Sequence, residues 1–327
     1  MSPLRIGLIG AGKHGSRYAK HIVEDLPQAV LVSLCRRDQE AGKRLAATYG
    51  CAYYADYRRM LTQEHLDAVA VVVPPARHGE IVAAACQAGI HLLIEKPFAV
   101  SVSEAHHLRR LITAGGVRCM VAHTLRFNSV VQALKAHLSD ITPLHSLYFS
   151  QRFEPSPLVW LDRKADSGGG IILHTGVHSF DLLRYLSGSE VETVWCQSAR
   201  VFTTETDDSF VMMCRLRAPL LWGAVMGSRA TQSRSGLIEL CGERGQLLGD
   251  HTHGFAYRIR GLDRVPLPVA APVPTVRETL RAFIEGVQND TPFPISVEDG
   301  IRAVAIAEAC ARSAVSGQPA AVEGLQW

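Results

Sequence analysis

The feature that most constrains the fold is a short apolar segment that runs directly into a glycine-rich turn. Leu4–Ile9 has the composition of a buried β-strand, and the next six residues, Gly10–Gly15, follow the pattern GxGxxG. A helix is predicted over Lys13–Asp25. A strand, this turn and a helix in immediate succession predict the first unit of a sheet that binds a dinucleotide.

Each glycine of the turn has a separate task in such a site. Gly10 permits the tight turn, Gly12 lets the backbone approach a pyrophosphate, and Gly15 lets the helix pack closely on the strand. The N-terminus of the helix then offers unpaired N–H groups and the positive end of its dipole to the phosphates. Lys13 and His14, which lie between the glycines, are therefore predicted to contact the cofactor.

The end of the second predicted strand, Ala29–Cys35, bears on the choice between NAD and NADP. A Rossmann fold that prefers NAD places an acidic residue here, where it binds the ribose 2′-hydroxyl. This chain has Arg36 and Arg37 instead, and a guanidinium can pair with a 2′-phosphate. The cofactor is therefore predicted to be NADP or NAD, with NADP favoured. The alternative is that both arginines begin a solvated turn and Asp38 caps the next helix.

Strands and helices alternate through the first 123 residues, which predicts an α/β domain with a doubly wound parallel sheet. Further strands are predicted at Ala52–Tyr54, Ala68–Val73, Ile90–Ile94 and Val117–Ala122. Further helices are predicted at Gln39–Tyr49, Arg77–Ala88 and Ser103–Ala114. Glu95 and Lys96 follow one strand directly, at the carboxyl edge where open α/β sheets bind ligands.

The rest of the chain, residues 124–327, is predicted to form a second, α+β domain on a mostly antiparallel sheet. Strands without intervening helices are predicted at Leu144–Phe153, Val191–Phe202, Ser209–Leu216, Leu221–Ser228, Leu237–Cys241 and Tyr257–Arg260. Helices are predicted at Phe127–Leu138, Ile171–Leu186, Thr275–Gln288 and Val297–Val315, and a loop at Val265–Pro274. This domain is expected to bind substrate and to carry oligomer contacts.

Composition supports a globular protein of about two domains. Of the 327 residues, 47% are hydrophobic and 20% charged, and the net charge of +3 is too small and too dispersed to predict nucleic-acid binding. The eight cysteines show no paired spacing, which favours free buried thiols in a reducing compartment. The sequence shows no signal peptide and no apolar run that could span a bilayer, so a cytoplasmic location is expected.

A triple glycine at 168–170 precedes a helix that carries candidate catalytic residues. His174, His178 and Asp181 are spaced i, i+4 and i+7, which would place them on one α-helical face. A histidine can accept a hydroxyl proton near neutral pH, and a lysine can stabilise a developing alkoxide. Lys96 and a histidine are therefore expected to meet in one cleft. The alternative, that the two histidines bind zinc, rests on spacing alone, and no metal is predicted.

With these residues identified, the chain resembles the Gfo/Idh/MocA family of oxidoreductases, which includes inositol dehydrogenases and glucose–fructose oxidoreductases. The resemblance covers nearly the whole chain. Its motifs are GAGKHG at 10–15, VVVPPARH at 71–78, EKPFAVS at 95–101, GGGIILHTGVHSFDLLRYL at 168–186 and PISVEDGIRAVAIAEACARSA at 294–314. These motifs are specific for the family and do not identify a substrate.

The resemblance implies roles for individual residues. Lys96 would be the catalytic lysine, His178 the acid/base histidine, and Asp181 would match the family motif. His174 stands where the family usually has an aspartate that orients sugar hydroxyls, which implies a changed substrate or lost activity. The remaining predicted contacts are those of Pro74, His78, Glu95 and Lys96 with the cofactor, and those of Arg126, Asn128, Arg152, Trp160, His174 and Asp181 with the substrate.

The motifs predict an NAD(P)-dependent oxidoreductase, and the resemblance implies that it acts on a sugar, cyclitol or related polyhydroxylated molecule and forms a homodimer or homotetramer. Two alternatives are a dinucleotide-binding sensor without turnover, and an enzyme that uses tightly held NAD transiently for elimination or glycoside cleavage. The replacement at His174 favours the sensor, whereas the presence of Lys96 and His178 favours an enzyme.

Overall fold

The computed structural model describes residues 2–217 and 221–323, and these form two compact units. The first unit comprises the chain up to Ala99, Ser103–Thr124 and Pro274–Ile301. The second unit comprises Val100–Val102, Leu125–Val273 and the chain from Arg302 onward. No helix among the described residues is both long enough and apolar enough to cross a membrane.

The first unit is built on a six-stranded parallel sheet with the strand order β3-β2-β1-β4-β5-β6. The strands are β1 (Leu4–Ile9), β2 (Ala29–Cys35), β3 (Ala52–Tyr54), β4 (Ala68–Val71), β5 (His91–Glu95) and β6 (Cys119–Ala122). Every residue of β4 and β6 is buried, as expected of parallel strands covered on both faces. The order reverses between β1 and β4, and this is the switch point at which such sheets bind dinucleotides.

Six α-helices belong mainly to the first unit, and they are α1 (Gly15–Glu24), α2 (Gln39–Tyr49), α3 (Tyr57–Gln63), α4 (His78–Gln87), α5 (Val102–Ala114) and α9 (Thr275–Asn289). A 3₁₀ turn over Pro75–Arg77 precedes α4. Asp38 and Asp56 cap α2 and α3 by accepting backbone N–H bonds. The predicted cap at Asp38 is therefore present.

The compact units differ from the predicted division into 1–123 and 124–327 in one segment. Pro274–Ile301 groups with the first unit because α9 packs against α1 and β6. The Arg118 guanidinium reinforces this packing by donating to the Gly286 carbonyl and by lying 4.5 Å from the Phe293 ring centre. The division into a dinucleotide-binding and a substrate-binding domain stays a functional prediction.

The second unit is built on a nine-stranded sheet with the order β14-β13-β12-β11-β7-β10-β9-β8-β15. Its strands are β7 (Leu144–Arg152), β8 (Val191–Ala199), β9 (Ser209–Leu216), β10 (Trp222–Ser228), β11 (Ser235–Gly242), β12 (Gly245–Asp250), β13 (Phe255–Arg260), β14 (Asp263–Pro266) and β15 (Ala320–Ala321). Neighbouring strands are antiparallel except for the parallel pair β7 and β10. The predicted fold class is confirmed for both sheets.

Burial alternates along β9, β10 and β11, so one face of this sheet covers the core of the second unit. The helices of the unit are α6 (Ser129–Ala136), α7 (Lys164–Ser167), α8 (Val177–Ser187) and most of α10 (Val297–Ser316). A π-helical turn over Ile172–Gly176 leads into α8, and short 3₁₀ turns lie at Thr124–Phe127, Leu138–Asp140 and Val159–Asp162.

The sequence patterns did not predict α3, the four-residue helix α7, β12, β14 and β15. Helix α3 has only seven residues, and β12 contains two glycines, so neither gives a clear periodicity. Strand β14 lies partly inside the predicted loop at Val265–Pro274, and Pro266 is tolerated there because β14 is an edge strand. The two-residue strand β15 is too short for a pattern.

Candidate functional site

The three glycines of the turn in the first unit have different surroundings. The fold needs Gly10 and Gly15, whereas Gly12 leaves room for a ligand. Gly10 has φ +99°, and a Cβ there would lie 2.1 Å from the Val72 carbonyl oxygen. A Cβ on Gly15 would lie 2.1 Å from the Gly10 carbonyl oxygen. By contrast, a Cβ on Gly12 would have no described atom within 4 Å. The exposed backbone at Gly12 is thus open to a pyrophosphate, so the turn fits a dinucleotide.

The N-terminus of α1 adds an electrostatic preference for an anion. Helix α1 begins at Gly15, the last residue of the turn, and the structure describes every residue of this helix. Its first turn contains no acidic residue, and its N-cap His14 makes no capping side-chain bond. The positive end of the helix dipole is therefore not neutralised by the helix itself. Lys13 and His14 are both exposed at this end.

The two arginines after β2 differ in their surroundings. The Arg36 side chain folds back toward the glycine turn, where Nη1 donates to the Ala11 carbonyl at 3.0 Å. Its Nη2 lies 3.7 Å from Asp38 Oδ2, and the Asp38 side chain also accepts from Ala41 N. Arg37 is exposed. Among the described residues, the end of β2 therefore carries two positively charged side chains, and the acidic residue nearest to them, Asp38, caps α2.

The carboxylate of Glu95 is the centre of a buried hydrogen-bonded group at the end of β5. Its Oε1 accepts from the Tyr18 hydroxyl at 2.5 Å and lies 2.7 Å from His14 Nε2, and its Oε2 accepts from Lys96 N at 3.0 Å. Burial raises the pKa of Glu95, but the charges and hydrogen bonds of His14, Lys96 and Tyr18 outweigh burial and lower it to about 2. Glu95 is therefore a buried carboxylate that remains charged.

Lys96 directly follows Glu95 in the chain. His78 holds the backbone segment that begins at Lys96 in place. The side chain of Lys96 is partly exposed, and its peptide bond to Pro97 is cis. His78 is fully buried, with Nδ1 3.1 Å from the Phe98 carbonyl and Nε2 3.2 Å from the Val73 carbonyl. Burial lowers the pKa of His78, which favours the neutral ring. His78 thus holds the loops after β4 and β5, beside the half-buried Pro74.

In the second unit, the triple glycine allows a close approach between two backbone segments. A Cβ on Gly170 would lie 2.2 Å from the Asp207 carbonyl oxygen, and Gly168 has φ +74°. The Asp207 carbonyl accepts from Ile171 N, and its carboxylate accepts from Ile172 N at 2.9 Å. Burial raises the pKa of Asp207. Asp207 therefore caps the start of the π-helical turn, a role that the sequence did not reveal.

The two candidate histidines lie in different kinds of helix, because the π-helical turn interrupts the predicted continuous α-helix. His174 lies within the π-helical turn, and His178 is on α8. The buried His174 ring has Nε2 3.0 Å from the Ser167 carbonyl, so Nε2 carries the proton of that bond. The Trp160 ring meets the His174 ring edge-on at 5.4 Å. His178 is partly exposed.

Asp181 and Arg126 bind each other. Arg126 Nε and Nη2 donate to the two carboxylate oxygens of Asp181 at 2.8 and 2.6 Å. Asp181 is fully buried, Arg126 is 8% exposed, and the Arg126 guanidinium lies 4.9 Å from the Tyr185 ring centre. This geometry favours a structural role for the pair, and the predicted substrate contacts of both residues stay predictions.

The other predicted substrate residues have contacts within the second unit. Asn128 caps α6 by accepting from Val130 N, and its amide donates to the His251 carbonyl. The Arg152 guanidinium donates to the Ser150 hydroxyl on the same strand. Among the described residues, no group of three or more His, Cys, Asp or Glu side chains is arranged to hold a metal ion.

Tyr18 is a second residue of the candidate site that the sequence analysis missed. It lies four residues after His14, on the same face of α1, and the two rings meet edge-on at 5.6 Å. The spacing was visible in the sequence, but an aromatic residue on the buried face of a helix usually packs in the core. Its hydroxyl bond to Glu95 depends on strand β5, which is distant in sequence.

Comparison with known proteins agrees with this geometry. A family model described as "Oxidoreductase family, NAD-binding Rossmann fold" matches residues 4–123, and the "GFO/IDH/MocA C-terminal domain" matches residues 135–248. Myo-inositol 2-dehydrogenase of Thermotoga maritima is 24% identical over 95% of this chain and 96% of its own.

Two solved structures share the fold. An oxidoreductase domain protein from Kribbella flavida has a TM-score of 0.88 at 24% identity, covering 99% of this chain and 100% of its own. The WlbA dehydrogenase from Bordetella pertussis, in complex with NADH and UDP-GlcNAcA, has a TM-score of 0.88 at 21% identity, covering 99% of each chain. With both of its domain models matched and the glycine turn in place, the chain belongs to the Gfo/Idh/MocA family of NAD-binding oxidoreductases.

Proposed function

We propose that this protein is an NAD(P)-dependent dehydrogenase or reductase that acts on a CH–OH group of a sugar, cyclitol or related polyhydroxylated molecule. The observation that carries the proposal is the glycine turn at the switch point of the parallel sheet, with open space at Gly12. Relatives named as an inositol dehydrogenase and a dehydrogenase bound to a nucleotide sugar support this substrate class.

In the proposed reaction, Lys96 and His178 act on the same substrate oxygen. The nicotinamide ring, when bound, accepts hydride from the carbinol carbon or returns it in the reverse direction. His178 takes the hydroxyl proton as general base, and the Lys96 ammonium donates a hydrogen bond to the oxygen as its negative charge develops. His174 and Trp160 contact each other in the second unit, and we propose that they contact the rest of the substrate.

The experiment that tests this function is a panel of cyclitols, aldoses and sugar acids, offered with NAD⁺ and with NADP⁺ and followed by absorbance of the reduced nicotinamide. Reduction with at least one class of polyol is expected. Dinucleotide binding without reduction across the panel would favour the sensor alternative, for which the histidine at position 174 is the supporting observation. Copurified NAD without net redox change would favour transient use of the cofactor.

We also propose that NADP is preferred over NAD. The supporting observation is that two cationic side chains, Arg36 and Arg37, follow β2, and that Arg36 lies against the glycine turn. A guanidinium here can pair with a 2′-phosphate, whereas a fold that prefers NAD usually has an acidic residue directly at the end of this strand.

Replacing Arg36 with Asp is expected to reverse the preference between the two dinucleotides. In the wild type we expect NADP⁺ to bind about tenfold more tightly than NAD⁺, since one charge-assisted pair contributes on the order of 1–2 kcal/mol. In Arg36→Asp the preference should fall to unity or invert, as measured by calorimetry at fixed salt. Lys43→Asp, which makes the same charge change on α2, is the matched control. Equal dinucleotide affinities in the wild type would contradict the proposal.

We further propose that the protein is a homodimer or homotetramer that assembles through the face of the second-unit sheet opposite its core. Trp222, Ala224 and Met226 alternate along β10 on this face, and Met213 is the register partner of Ala224 on β9. Trp222 is 55% exposed and Met213 is 52% exposed. An exposed apolar sheet face of this kind favours association. All eight cysteines are free thiols, which supports a reducing, cytoplasmic location as part of the proposal.

The double substitution Met213→Glu and Trp222→Glu is expected to convert the oligomer to a monomer. Two buried, unpaired carboxylates at the centre of an interface cost several kcal/mol, which is enough to raise a dissociation constant by about a thousandfold or more. Sedimentation equilibrium would measure the change, and Val265→Glu, at an exposed edge-strand position, is the control. A wild-type protein that is monomeric at micromolar concentration would contradict this part of the proposal.

A further inference from the structure

The contacts of Glu95 join two separate parts of the first unit. The carboxylate comes from β5, and its Oε2 accepts from the backbone N–H of Lys96. Its Oε1 is held by His14 and Tyr18, which belong to the glycine turn and to α1. A single carboxylate therefore connects the turn that fits a pyrophosphate with the residue proposed to stabilise the substrate oxygen.

His14 is the part of this group that faces the solvent. Tyr18 is fully buried and the Glu95 side chain is 8% exposed, whereas the His14 side chain is 47% exposed. His14 is also the N-cap of α1 and one residue before Gly15, so an anion bound at the helix N-terminus would lie close to its ring. The His14 ring would then contact both Glu95 and such an anion.

We propose that His14 is a positioning residue that connects phosphate binding at the glycine turn to the placement of Lys96, through the carboxylate of Glu95. Dinucleotide binding holds the ring of His14 in place, the ring then holds Glu95 more firmly, and Glu95 in turn fixes the backbone of Lys96. The residue acts through its neighbours and takes no part in hydride or proton transfer. The inference rests on the proposed function, because it assumes that a dinucleotide binds at this turn.

The experiment is a calorimetric titration with ADP-ribose, which carries the diphosphate but lacks the nicotinamide, at fixed pH and salt. In His14→Gln we expect the Kd to be about threefold to tenfold higher than in the wild type, the effect of one lost contact with the diphosphate. The glutamine amide can still donate to Glu95, so folding is preserved.

The control is His21→Gln, which removes a different histidine–carboxylate contact from the same helix. His21 Nδ1 lies 2.6 Å from Asp25 Oδ2, at the C-terminal end of α1 and away from the glycine turn. The Kd of His21→Gln for ADP-ribose is expected to match the wild type. If His14→Gln binds ADP-ribose as tightly as the wild type does, the inference is wrong and the cofactor assignment stands.

A second measurement tests whether the effect of binding reaches Lys96. The amide N–H of Lys96 donates to Glu95, so its NMR chemical shift in protein labelled with ¹⁵N-lysine reports on that bond. Saturating ADP-ribose at pH 6.5 is expected to move this resonance in the wild type and to move it less than half as far in His14→Gln. Equal displacements would overturn the proposed connection. Failure of the wild type to bind ADP-ribose, NAD⁺ or NADP⁺ would overturn the cofactor assignment and, with it, this inference.

Discussion

Lys96→Ala and His178→Ala are each expected to lower kcat/KM by about a hundredfold to ten-thousandfold on the polyol that the wild type oxidises. Removing a general base costs about 10²–10⁴ in rate, and removing a donor that stabilises a developing oxyanion costs about 10²–10³. Both interactions strengthen as the transition state forms, so the loss should appear in kcat more than in KM.

His178→Ala should leave dinucleotide binding within about threefold of the wild type, since His178 is on α8 of the second unit, whereas the glycine turn belongs to the first. His137→Ala is the matched control for His178, because His137 forms a surface contact with Asp140 at 3.0 Å in the same unit. Full turnover by either Lys96→Ala or His178→Ala on the true substrate would show that the assignment of these residues is wrong.

Asp181→Ala is expected to lower the free energy of unfolding by about 3–5 kcal/mol, because it removes the carboxylate from a buried ion pair and leaves the Arg126 charge in a largely dry site. Asp181 is fully buried and receives two hydrogen bonds from Arg126, so water cannot easily replace it. Urea unfolding monitored by circular dichroism would measure the change.

The double substitution Arg126→Met and Asp181→Leu tests the cause of that loss. If the cost arises from an uncompensated buried charge, the double variant should recover most of the stability, because an apolar pair of similar volume can replace a buried ion pair. Asp166→Ala is the surface control, since its pair with Arg163 is exposed and should contribute less than about 1 kcal/mol. A loss below about 1 kcal/mol in Asp181→Ala would contradict the structural role of the pair.

The sequence predicted the strands of the first unit well because local pattern and tertiary environment agree there. β1, β2 and β3 have the predicted bounds. β1 is bounded by a glycine whose positive φ ends the strand, and β2 is a run of mostly apolar residues covered on both faces. Helices α1 and α2, which follow β1 and β2, also begin close to the predicted residues. The glycine turn marks the start of α1, and Asp38 marks the start of α2.

The sequence could not show which segments pack together across long separations. Helix α9 groups with the first unit through its packing on α1, although more than 100 residues of the second unit precede it in the chain. The π-helical turn was also hidden, because almost every residue from 171 to 183 is buried and the sequence there has no clear hydrophobic period that an extra residue could shift. The spacing of His174 and His178 was therefore interpreted as purely α-helical.

The motifs of the candidate site could be predicted from the sequence, but the contacts between its residues could not. Gly10, Gly12 and Gly15 follow a pattern whose physical reason can be read from the sequence. The hydrogen bonds of Glu95 with His14 and Tyr18 span about 80 residues, and no local periodicity reports on them. The bidentate contact between Arg126 and Asp181 also joins residues that are distant in sequence, so the pattern of the chain did not reveal it, and their predicted substrate contacts stay predictions.

The central claim, that this fold binds a nicotinamide dinucleotide at the glycine turn, is tested most directly by calorimetric titration of NAD⁺ and NADP⁺ into the wild type and Gly12→Val. A valine at position 12 would extend into open space, so the fold and its melting temperature should be preserved while the approach of a pyrophosphate is blocked. The wild type is expected to bind with a micromolar Kd, and the Kd of the variant is expected to be at least a hundredfold higher. No binding of either dinucleotide to the wild type, or equal binding to both proteins, would contradict the claim.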